Sequence, residues 1–226
     1  MQDRGGTAHQ ICDGRSSGAI IKIFIGGSID MTIQKKKERL GEIILERSFK
    51  YSENPPFTLA SGRQSNFYFN CKPTTLDPEG MNLIGEIIFD MIKDAPVTAA
   101  GGLTLGADPI AAALAVMSWQ LGKPVKSFIV RKDIKDHGTK SAIEGNVQSG
   151  ERVVIIDDVI TTGGSTITAI EHTRKAGLII DRVITLIDRE EGGRENILRY
   201  VENVQSVFTR TEIMALRAKL MAVQHG

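Results

Sequence analysis

Apolar positions along the chain follow two different periods, and their alternation predicts a layered α/β fold. Four short runs rich in Val, Ile, Ala and Phe have the length of strands buried on both faces: VTAAGG, PVKSFIV, RVVIID and RVITLIDR. Other segments carry apolar residues every three or four positions, as amphipathic helices do. Strands of this kind separated by helices predict a central, mostly parallel sheet flanked by helices.

The predicted helices have recognisable ends. The first begins near Met31, and the second spans Pro78 to about Lys93. Gly122 and Gly177 lie where a glycine commonly ends a helix, after an Ala-rich helix and after the helix that follows TTGG. Residues 194–203 and the C-terminal segment complete the helices, and a half-exposed β-ribbon is predicted for FTLASGRQSNFYFN, where aromatic and polar residues alternate.

Residues 1–30 differ from the rest of the chain. Their apolar stretch GAIIKIFIGGSI is interrupted by Lys22 and is shorter than the ~20 residues of a membrane span. Its flanks also lack the layout of a signal peptide. We expect residues 1–30 to be a disordered extension or an upstream start, and residues 31–226 to form a single domain.

Composition narrows the class of protein. The chain has 226 residues, 41% of them hydrophobic, which is enough to bury a core in one domain. Its net charge of +1 provides no global field for nucleic acid or a membrane, so neither is expected as a partner. The two cysteines, Cys12 and Cys71, cannot form a disulfide framework and lack metal-ligand spacing, which favours a reducing, cytoplasmic setting.

The most informative stretch is RVVIIDDVITTGGST, residues 152–166. A predicted buried strand ends there in two carboxylates, Asp157 and Asp158, and a loop of hydroxyls and glycines follows. In open parallel sheets, ligands bind beyond the carboxyl ends of the strands. This rule places both aspartates and the loop on one rim with Arg131 and Arg189.

The loop after the aspartates is predicted to bind a phosphate. Gly163 and Gly164 let backbone N–H groups converge on an anion at the start of a helix, whose dipole favours negative charge. Hydroxyl donors are added by four neighbours: Thr161, Thr162, Ser165 and Thr166. The spacing and the lysine of a Walker A loop are missing, which argues against a nucleoside-triphosphate motor.

The two aspartates suit the diol of a ribose, either by accepting hydrogen bonds from its hydroxyls or through Mg²⁺ and its waters. The alternative is that they form a helix-capping acidic turn and that TTGG is an ordinary loop. The unbroken strand pattern before them and the hydroxyl and glycine loop after them favour the ligand site.

VVIIDDVITTGGST resembles the phosphoribosylpyrophosphate (PRPP) signature of the type I phosphoribosyltransferases. Four further segments narrow the resemblance to the orotate phosphoribosyltransferase family: FTLASGRQSNFYFN, GGLTLGADPIAAA, VRKDIKDHGTKSAIEG and ITLIDREEG. The likeness covers roughly residues 31–220, and residues 1–30 match nothing. It implies the type I phosphoribosyltransferase fold with a small N-terminal hood. It also implies a pentosyltransferase that moves ribose 5-phosphate from PRPP to orotate, giving orotidine 5′-monophosphate and pyrophosphate in de novo pyrimidine biosynthesis.

The same resemblance implies which residues bind each substrate. The expected PRPP contacts are Arg131, Lys132, Lys135, His137, Asp157, Asp158, Val159, Ile160, Thr161, Thr162, Gly163, Gly164 and Ser165. The expected orotate contacts are Thr161, Arg189, Tyr68 and Phe69. The residues expected to act in catalysis are Lys135, His137, Asp157 and Asp158. Mg²⁺ is the implied cofactor; it would arrive with PRPP without direct protein ligands, and Asp157 or Asp158 would reach it through water.

The chain from Arg131 to about Gly150 is predicted to be a charged loop, here called the basic loop. The family also implies a homodimer in which this loop reaches the neighbour's site. A lone basic loop is commonly a solvated surface. Here, cations beside the departing pyrophosphate would stabilise the transition state more than the ground state, and closure of the loop would exclude water. His137 is the candidate for handling protons; anion contact is preferred over acid catalysis, and a plain surface histidine is the alternative.

The implied orotate contacts have alternatives of their own. Arg189 matches the bidentate geometry of a carboxylate such as that of orotate, but it could instead be a strand end paired with Glu190 or Glu191. The aromatic residues of the ribbon, Phe67, Tyr68 and Phe69, could stack on the base or form core on one face.

Two positions depart from the family pattern. Many relatives carry lysine where this chain has Ala60 and, in the turn of GGLTLGAD, Leu105. A branch of the family reads GGL-x-x-GA at the second position, so we interpret the change as subfamily variation, with Lys72 as a candidate substitute.

Two other classes of protein remain open. A regulator that binds PRPP or nucleotides on the same fold would need a nucleic-acid module or a basic face, and the sequence shows neither pattern. A purine phosphoribosyltransferase would share the DDVITTGGST loop, but not Arg189 within IDRE or the SGRQSNFYF ribbon.

Overall fold

A computed structural model of the chain describes residues 31–58, 64–132 and 142–224. Its helices are α1 (Ile33–Arg47), α2 (Lys72–Thr75), α3 (Pro78–Ile92), α4 (Ala107–Gln120), α5 (Gly164–Lys175), α6 (Gly193–Ile197) and α7 (Arg210–Gln224). Its strands are β1 (Phe49–Tyr51), β2 (Phe57–Thr58), β3 (Gln64–Ser65), β4 (Phe67–Phe69), β5 (Ala99–Leu103), β6 (Lys126–Val130), β7 (Ile143–Glu144), β8 (Arg152–Ile160), β9 (Ile179–Asp188) and β10 (Val204–Thr209). The predicted extension over residues 1–30 lies outside the described residues.

Six strands form the central sheet in the order β10–β9–β8–β5–β6–β7. Five of them run parallel, and the short edge strand β7 is antiparallel to β6, so the predicted mostly parallel sheet is confirmed. The chain adds β6 and β7 on one side of β5 and then places β8 on the other side. The strand order therefore reverses between β5 and β8, and the crevice beyond the carboxyl ends of strands at such a reversal is the usual ligand site.

Side chains of β8 alternate between two hydrophobic layers. Val154 and Ile156 pack with buried residues of α1, α3, α4 and α7, whereas Val153 and Ile155 pack with buried residues of α5 and α6. Successive residues of a strand face opposite sides of a sheet. A strand that is covered on both sides therefore needs a continuous apolar run, which is the pattern that predicted it.

The ends of the helices follow from local chemistry. Asp77 Oδ1 accepts hydrogen bonds from the N–H groups of Glu79 and Gly80, both at 3.0 Å, which caps α3. Gly122 follows α4 with a φ of 77°, a left-handed conformation that confirms its predicted role. None of the helices in the described ranges is both long enough and apolar enough to cross a lipid bilayer.

Three predicted boundaries were wrong. The strand predicted to end at the aspartates continues to Ile160, because its ladder with β9 runs from Arg152 to Ile160 and uses backbone groups that a polar side chain does not remove. The helix predicted over residues 194–203 ends at Ile197, where the chain turns towards β10. The basic loop contains β7, which pairs with β6.

The ribbon predicted from the aromatic segment is divided into two antiparallel pairs. β2 pairs with β3, and β4 pairs with β1, which follows the first helix. Phe69 of β4 packs against Phe49 of β1 with ring centroids 5.1 Å apart. β1 and β4 thus pack against one edge of the core through Phe49, Phe67 and Phe69, whereas Tyr68 is exposed.

Candidate active site

The loop after β5 lies directly against the second aspartate of β8. A Cβ atom on Gly106, which precedes α4, would come within 2.3 Å of Asp158 Oδ1. Only glycine lets the backbone pass this close to the carboxylate. The loop after β5 and the carboxyl end of β8, where the strand order reverses, are therefore in contact.

The first aspartate is held by the helix that follows the loop. The Thr166 hydroxyl donates to Asp157 Oδ2 across 2.5 Å. Burial raises the pKa of Asp157 to about 7; the hydrogen bond from Thr166 opposes this rise, and the neighbouring charge of Asp158 adds to it. Thr166, which the sequence pattern groups with the phosphate donors, thus points to the strand and serves the aspartate.

A buried thiol lies behind the aspartates. Cys71 is free and fully buried, and its Sγ lies 3.9 Å from the carbonyl oxygen of Asp158. Burial, together with the negative charge of Asp158, raises the pKa of the thiol. A closed site and a raised pKa leave it unreactive, so Cys71 serves packing.

The segment between β8 and α5 has the shape of the predicted phosphate cradle. Gly163 adopts a φ of 84°, and a Cβ there would lie 2.9 Å from the carbonyl oxygen of Gly193. α5 then begins at Gly164 without a capping side chain from the described residues. The side chains of Thr162 and Ser165 are exposed beside it. The start of α5 therefore presents backbone N–H groups, hydroxyls and a favourable dipole to an anion.

Three predicted PRPP contacts lie between the aspartates and the cradle. Ile160 is buried, and Val159 packs against the core, so a ligand would meet mainly their backbone. The Ile160 carbonyl accepts the N–H of Arg189 at 3.0 Å. Thr161 is half-buried, and it lies between the end of β8 and the start of α5.

Arg131 follows β6, on the far side of β5 from the aspartates. Its guanidinium forms an ion pair with Glu144 of β7 at 2.8 Å, and Lys132 is exposed. The Thr104 N–H donates to the carbonyl of Val130 at 2.9 Å, so the loop after β5 also borders the start of the basic loop. The two remaining basic candidates lie outside the described residues, and their roles stay predictions: Lys135 and His137.

Arg189 follows β9, the neighbour of β8. Its side chain is 7% exposed, and its Nη2 lies 2.7 Å from Glu191 Oε1. The same nitrogen lies 3.2 Å from Ser65 Oγ and 3.5 Å from the carbonyl oxygen of Phe67. The ion pair that the sequence offered as an alternative is therefore present, and it holds the guanidinium between the end of β9 and the ribbon.

The aromatic candidates on the ribbon face different surroundings. Phe69 is in the core, whereas Tyr68 is exposed and packs 5.7 Å from the ring of Phe57. Successive side chains of a strand face opposite sides. Because the Phe69 side chain faces the core, a contact of Phe69 with a base would use its backbone. A cleft of about 430 Å³ opens beside the ribbon, lined by Pro56, Gln64, Ser65, Asn66, Phe67, Glu191 and Arg210.

The positions that depart from the family pattern are only partly described. Leu105 is exposed in the loop after β5, and Lys72 is exposed at the start of α2, next to Cys71. Ala60 lies outside the described residues. The suggestion that Lys72 replaces a missing lysine stays a prediction.

Sequence reasoning missed three contributions to this rim: Gly106, Ser65 and the direction of the Thr166 hydroxyl. Gly106 had a usable signal, because a glycine between a predicted strand and a helix at a sheet reversal marks a close backbone approach. Ser65 had none, because its partner Arg189 is distant in the chain.

The donors at the rim suit a hard cation only in part. Asp157 and Asp158 offer carboxylate oxygens, which Mg²⁺ prefers. Within the described ranges, no three His, Cys, Asp or Glu side chains converge to hold a metal ion. Mg²⁺ at this rim would therefore take its oxygen ligands from substrate and water, with the aspartates reaching it through water.

The chain is similar in sequence and in fold to known proteins. The family model "Phosphoribosyl transferase domain" matches residues 79–212. The orotate phosphoribosyltransferase of Aquifex aeolicus is 44% identical over 179 residues, which cover 79% of this chain and 98% of the relative. That of Bradyrhizobium diazoefficiens is 48% identical over 169 residues, which cover 73% of this chain and 89% of the relative.

A solved structure extends the comparison to a complex. The orotate phosphoribosyltransferase of Mycobacterium tuberculosis, crystallised with PRPP, is 31% identical and superposes with a TM-score of 0.66. The match covers 79% of this chain and 98% of that protein.

Proposed function

The chain belongs to the phosphoribosyltransferase family, and within it to the orotate phosphoribosyltransferases, and we propose that the rim at the β5–β8 reversal performs the reaction of that family. The reaction moves ribose 5-phosphate from PRPP to orotate, giving orotidine 5′-monophosphate and pyrophosphate in pyrimidine biosynthesis. One observation carries the location of the site: the two aspartates lie between the phosphate cradle of α5 and the turn at Gly106.

The start of α5 is the proposed seat of the 5-phosphate. Its N–H groups and its dipole favour an anion, and the hydroxyls of Thr162 and Ser165 add donors. Asp157 and Asp158 would then accept hydrogen bonds from the ribose hydroxyls. This arrangement would hold the sugar at both its phosphate and its hydroxyls and so position its anomeric carbon for attack.

The chemistry needs no protein nucleophile. A ring nitrogen of orotate attacks the anomeric carbon and loses its proton to solvent or to a neighbouring base. The bond from that carbon to the diphosphate oxygen breaks, and pyrophosphate leaves with the bonding electrons. Carboxylates beside the ribose stabilise the positive charge that develops on the sugar, while cations of the basic loop stabilise the departing oxygens.

Arg189 is the proposed receptor for the carboxylate of orotate. Its guanidinium is held by Ser65 and Glu191, and a planar guanidinium matches a carboxylate in two parallel hydrogen bonds. Purine bases lack this carboxylate and so could not accept two parallel hydrogen bonds from Arg189. Thr161 and the ribbon would complete the pocket.

Mg²⁺ is the proposed cofactor, and it is expected to bind together with PRPP. Asp157 and Asp158 supply the hard oxygen donors at the rim, reaching the ion through water. When bound, the ion would neutralise part of the diphosphate charge.

A homodimer is proposed as the active assembly, supported by the outward face of α4. From Pro109 to Gln120 the helix carries no charged residue, yet Val116 and Trp119 are 59% and 73% exposed. A helix that is apolar on all sides is normally covered. A second copy seated on this face of α4 would remove both side chains from water.

A cytoplasmic location belongs to the same proposal. It is supported by the free thiol of Cys71, since reducing compartments keep thiols unpaired.

The test is a spectrophotometric assay with PRPP, Mg²⁺ and one base at a time. We expect the absorbance of orotate to fall and adenine, guanine and hypoxanthine to remain unconsumed. Turnover of a purine in place of orotate would identify the rival enzyme class. Binding of PRPP without turnover of any base would favour the regulator class.

A further inference from the structure

Thr166 links the two parts of the proposed PRPP site, the phosphate cradle and the two aspartates. It lies in the first turn of α5, immediately after the exposed Ser165 of the phosphate cradle. Its hydroxyl donates to Asp157 Oδ2 across 2.5 Å, and the residue is only 1% exposed. The bond therefore connects the helix that presents the cradle to the strand that presents the carboxylates.

The geometry of this bond is well defined. Ala169 and Ile170, one turn further along α5, are fully buried in the second hydrophobic layer, so the helix is fixed against the sheet. A threonine side chain in a helix has few allowed rotamers. Its hydroxyl therefore holds Asp157 in one orientation for as long as α5 stays docked.

We infer that Thr166 is a positioning residue that sets the orientation of Asp157. It thereby couples the seat of the 5-phosphate, at the start of α5, to the seat of the ribose, at Asp157 and Asp158. The inference rests on the proposed function for the identity of the two seats. Without the hydroxyl, the Asp157 carboxyl loses its donor and can turn away from the sugar. Ligands that occupy both seats then bind less well, and ligands that occupy neither are unaffected.

This coupling separates PRPP from the other ligands of the reaction. PRPP carries a 5-phosphate and a ribose, so its affinity depends on both seats. Pyrophosphate lacks the sugar, and orotate is held at Arg189, one strand away. A residue that merely supported the fold would weaken all three ligands together.

The variants are Thr166→Val and Thr166→Ser, with Thr173→Val as the matched control. Thr173 lies on the same helix and is fully buried, and its hydroxyl has no hydrogen-bond partner among the residues described. Titration calorimetry would give the dissociation constants of PRPP and of pyrophosphate, each with Mg²⁺. Steady-state kinetics would give the KM for orotate.

We expect Thr166→Val to weaken PRPP about tenfold or more, while pyrophosphate affinity and the KM for orotate stay within about twofold. Thr166→Ser keeps the hydroxyl and should bind PRPP within about threefold of the parent protein. Thr173→Val should match the parent in all three constants. If Thr166→Val does not fold, Thr166→Ala replaces it.

A double-mutant cycle with Asp157→Ala tests whether Thr166 acts through the aspartate. We expect no further loss of PRPP affinity when Thr166→Val is added to Asp157→Ala, because the partner is already gone. Additive losses, unchanged PRPP affinity in Thr166→Val, or equal losses in the Ser and Val variants would overturn the inference. Absence of orotate turnover in the parent protein would instead refute the proposed function. The measured affinities for PRPP would still test the role of Thr166 in that case.

Discussion

Arg189 Nη2 lies 3.2 Å from Ser65 Oγ, although 124 residues separate the two in the chain. Ser65 Oγ also accepts the N–H of Phe67 at 3.2 Å, so the ribbon fixes the hydroxyl that receives the guanidinium. The proposed orotate pocket is thus formed by two segments that meet only in the folded chain.

Replacing Arg189 by lysine should impair recognition of orotate. Lysine keeps the charge but cannot form two parallel hydrogen bonds to a carboxylate, so we expect the KM for orotate to rise about tenfold or more. The KM for PRPP should stay near that of the parent. Arg199→Lys, at an exposed arginine outside the site, is the control in the same assay, and an unaltered orotate KM in Arg189→Lys would exclude the proposed contact.

Ser65→Ala should raise the KM for orotate less than Arg189→Lys does. The ion pair between Arg189 and Glu191 at 2.7 Å remains, so the guanidinium loses one partner and keeps another. We expect a few-fold increase in the KM for orotate, about 1 kcal/mol or less, measured beside Arg189→Lys. A Ser65→Ala variant as impaired as Arg189→Lys would show that the ion pair does not hold the guanidinium.

Gly106→Ala should displace the second aspartate. The added Cβ would come within 2.3 Å of Asp158 Oδ1, so the carboxylate, the loop or both must shift from their positions. Misplacement of a catalytic group by about 1 Å commonly costs on the order of 100-fold in rate, and we expect a loss of that size in kcat/KM for PRPP. Circular dichroism would verify the fold, and full turnover by a folded Gly106→Ala would show that the position of Asp158 is not critical.

Asp157 should make the folded protein less stable as pH rises from about 4 to about 7. Burial raises the pKa of this carboxyl from 3.8 to about 7, so in that window the folded state retains a proton that the unfolded state has lost. The unfolding free energy then falls with increasing pH. Asp157→Asn removes the titration, and each pKa unit corresponds to about 1.4 kcal/mol. Urea unfolding at several pH values would give the unfolding free energies of the parent protein and of Asp157→Asn. We expect the variant to become more stable relative to the parent as the pH rises to about 7. A difference that does not change with pH would contradict the raised pKa of Asp157.

Trp119→Gln should weaken the proposed dimer. The side chain is 73% exposed on the uncharged face of α4, where a second copy would remove it from water. Sedimentation equilibrium should show a dimer for the parent and a shift to monomer for the variant. Met221→Gln, at an exposed apolar residue of α7, should sediment as the parent does; a Trp119→Gln dimer of unchanged affinity would place the interface elsewhere.

Lys135→Ala should lower turnover without loss of orotate binding. A cation beside the departing diphosphate stabilises charge that develops mainly in the transition state, so the change should appear in kcat. Orotate binding followed by calorimetry should stay at the parent level. Lys219→Ala, an exposed lysine of α7, is the control, and unchanged turnover in Lys135→Ala would remove that lysine from the mechanism.

Local patterns predicted most of the elements and the candidate chemistry of the rim. The continuous apolar run of β8 predicted a strand covered on both faces, and Gly163 and Gly164 after it predicted a phosphate cradle, because both follow from backbone geometry within a few residues. The end of β8 could not be predicted this way. The strand continues through Asp157 and Asp158 because its length is set by the ladder with β9, and a ladder depends on a partner that is distant in the sequence.

Tertiary structure alone decided how the predicted groups are oriented and paired. The sequence placed Thr166 near a phosphate, yet the docking of α5 turns its hydroxyl to Asp157. It placed Arg189 at a strand end, yet the fold gives that side chain Ser65 and Glu191 as partners. Residue types and spacing fix which chemistry is available, whereas the direction of a side chain depends on packing between segments that spacing does not relate.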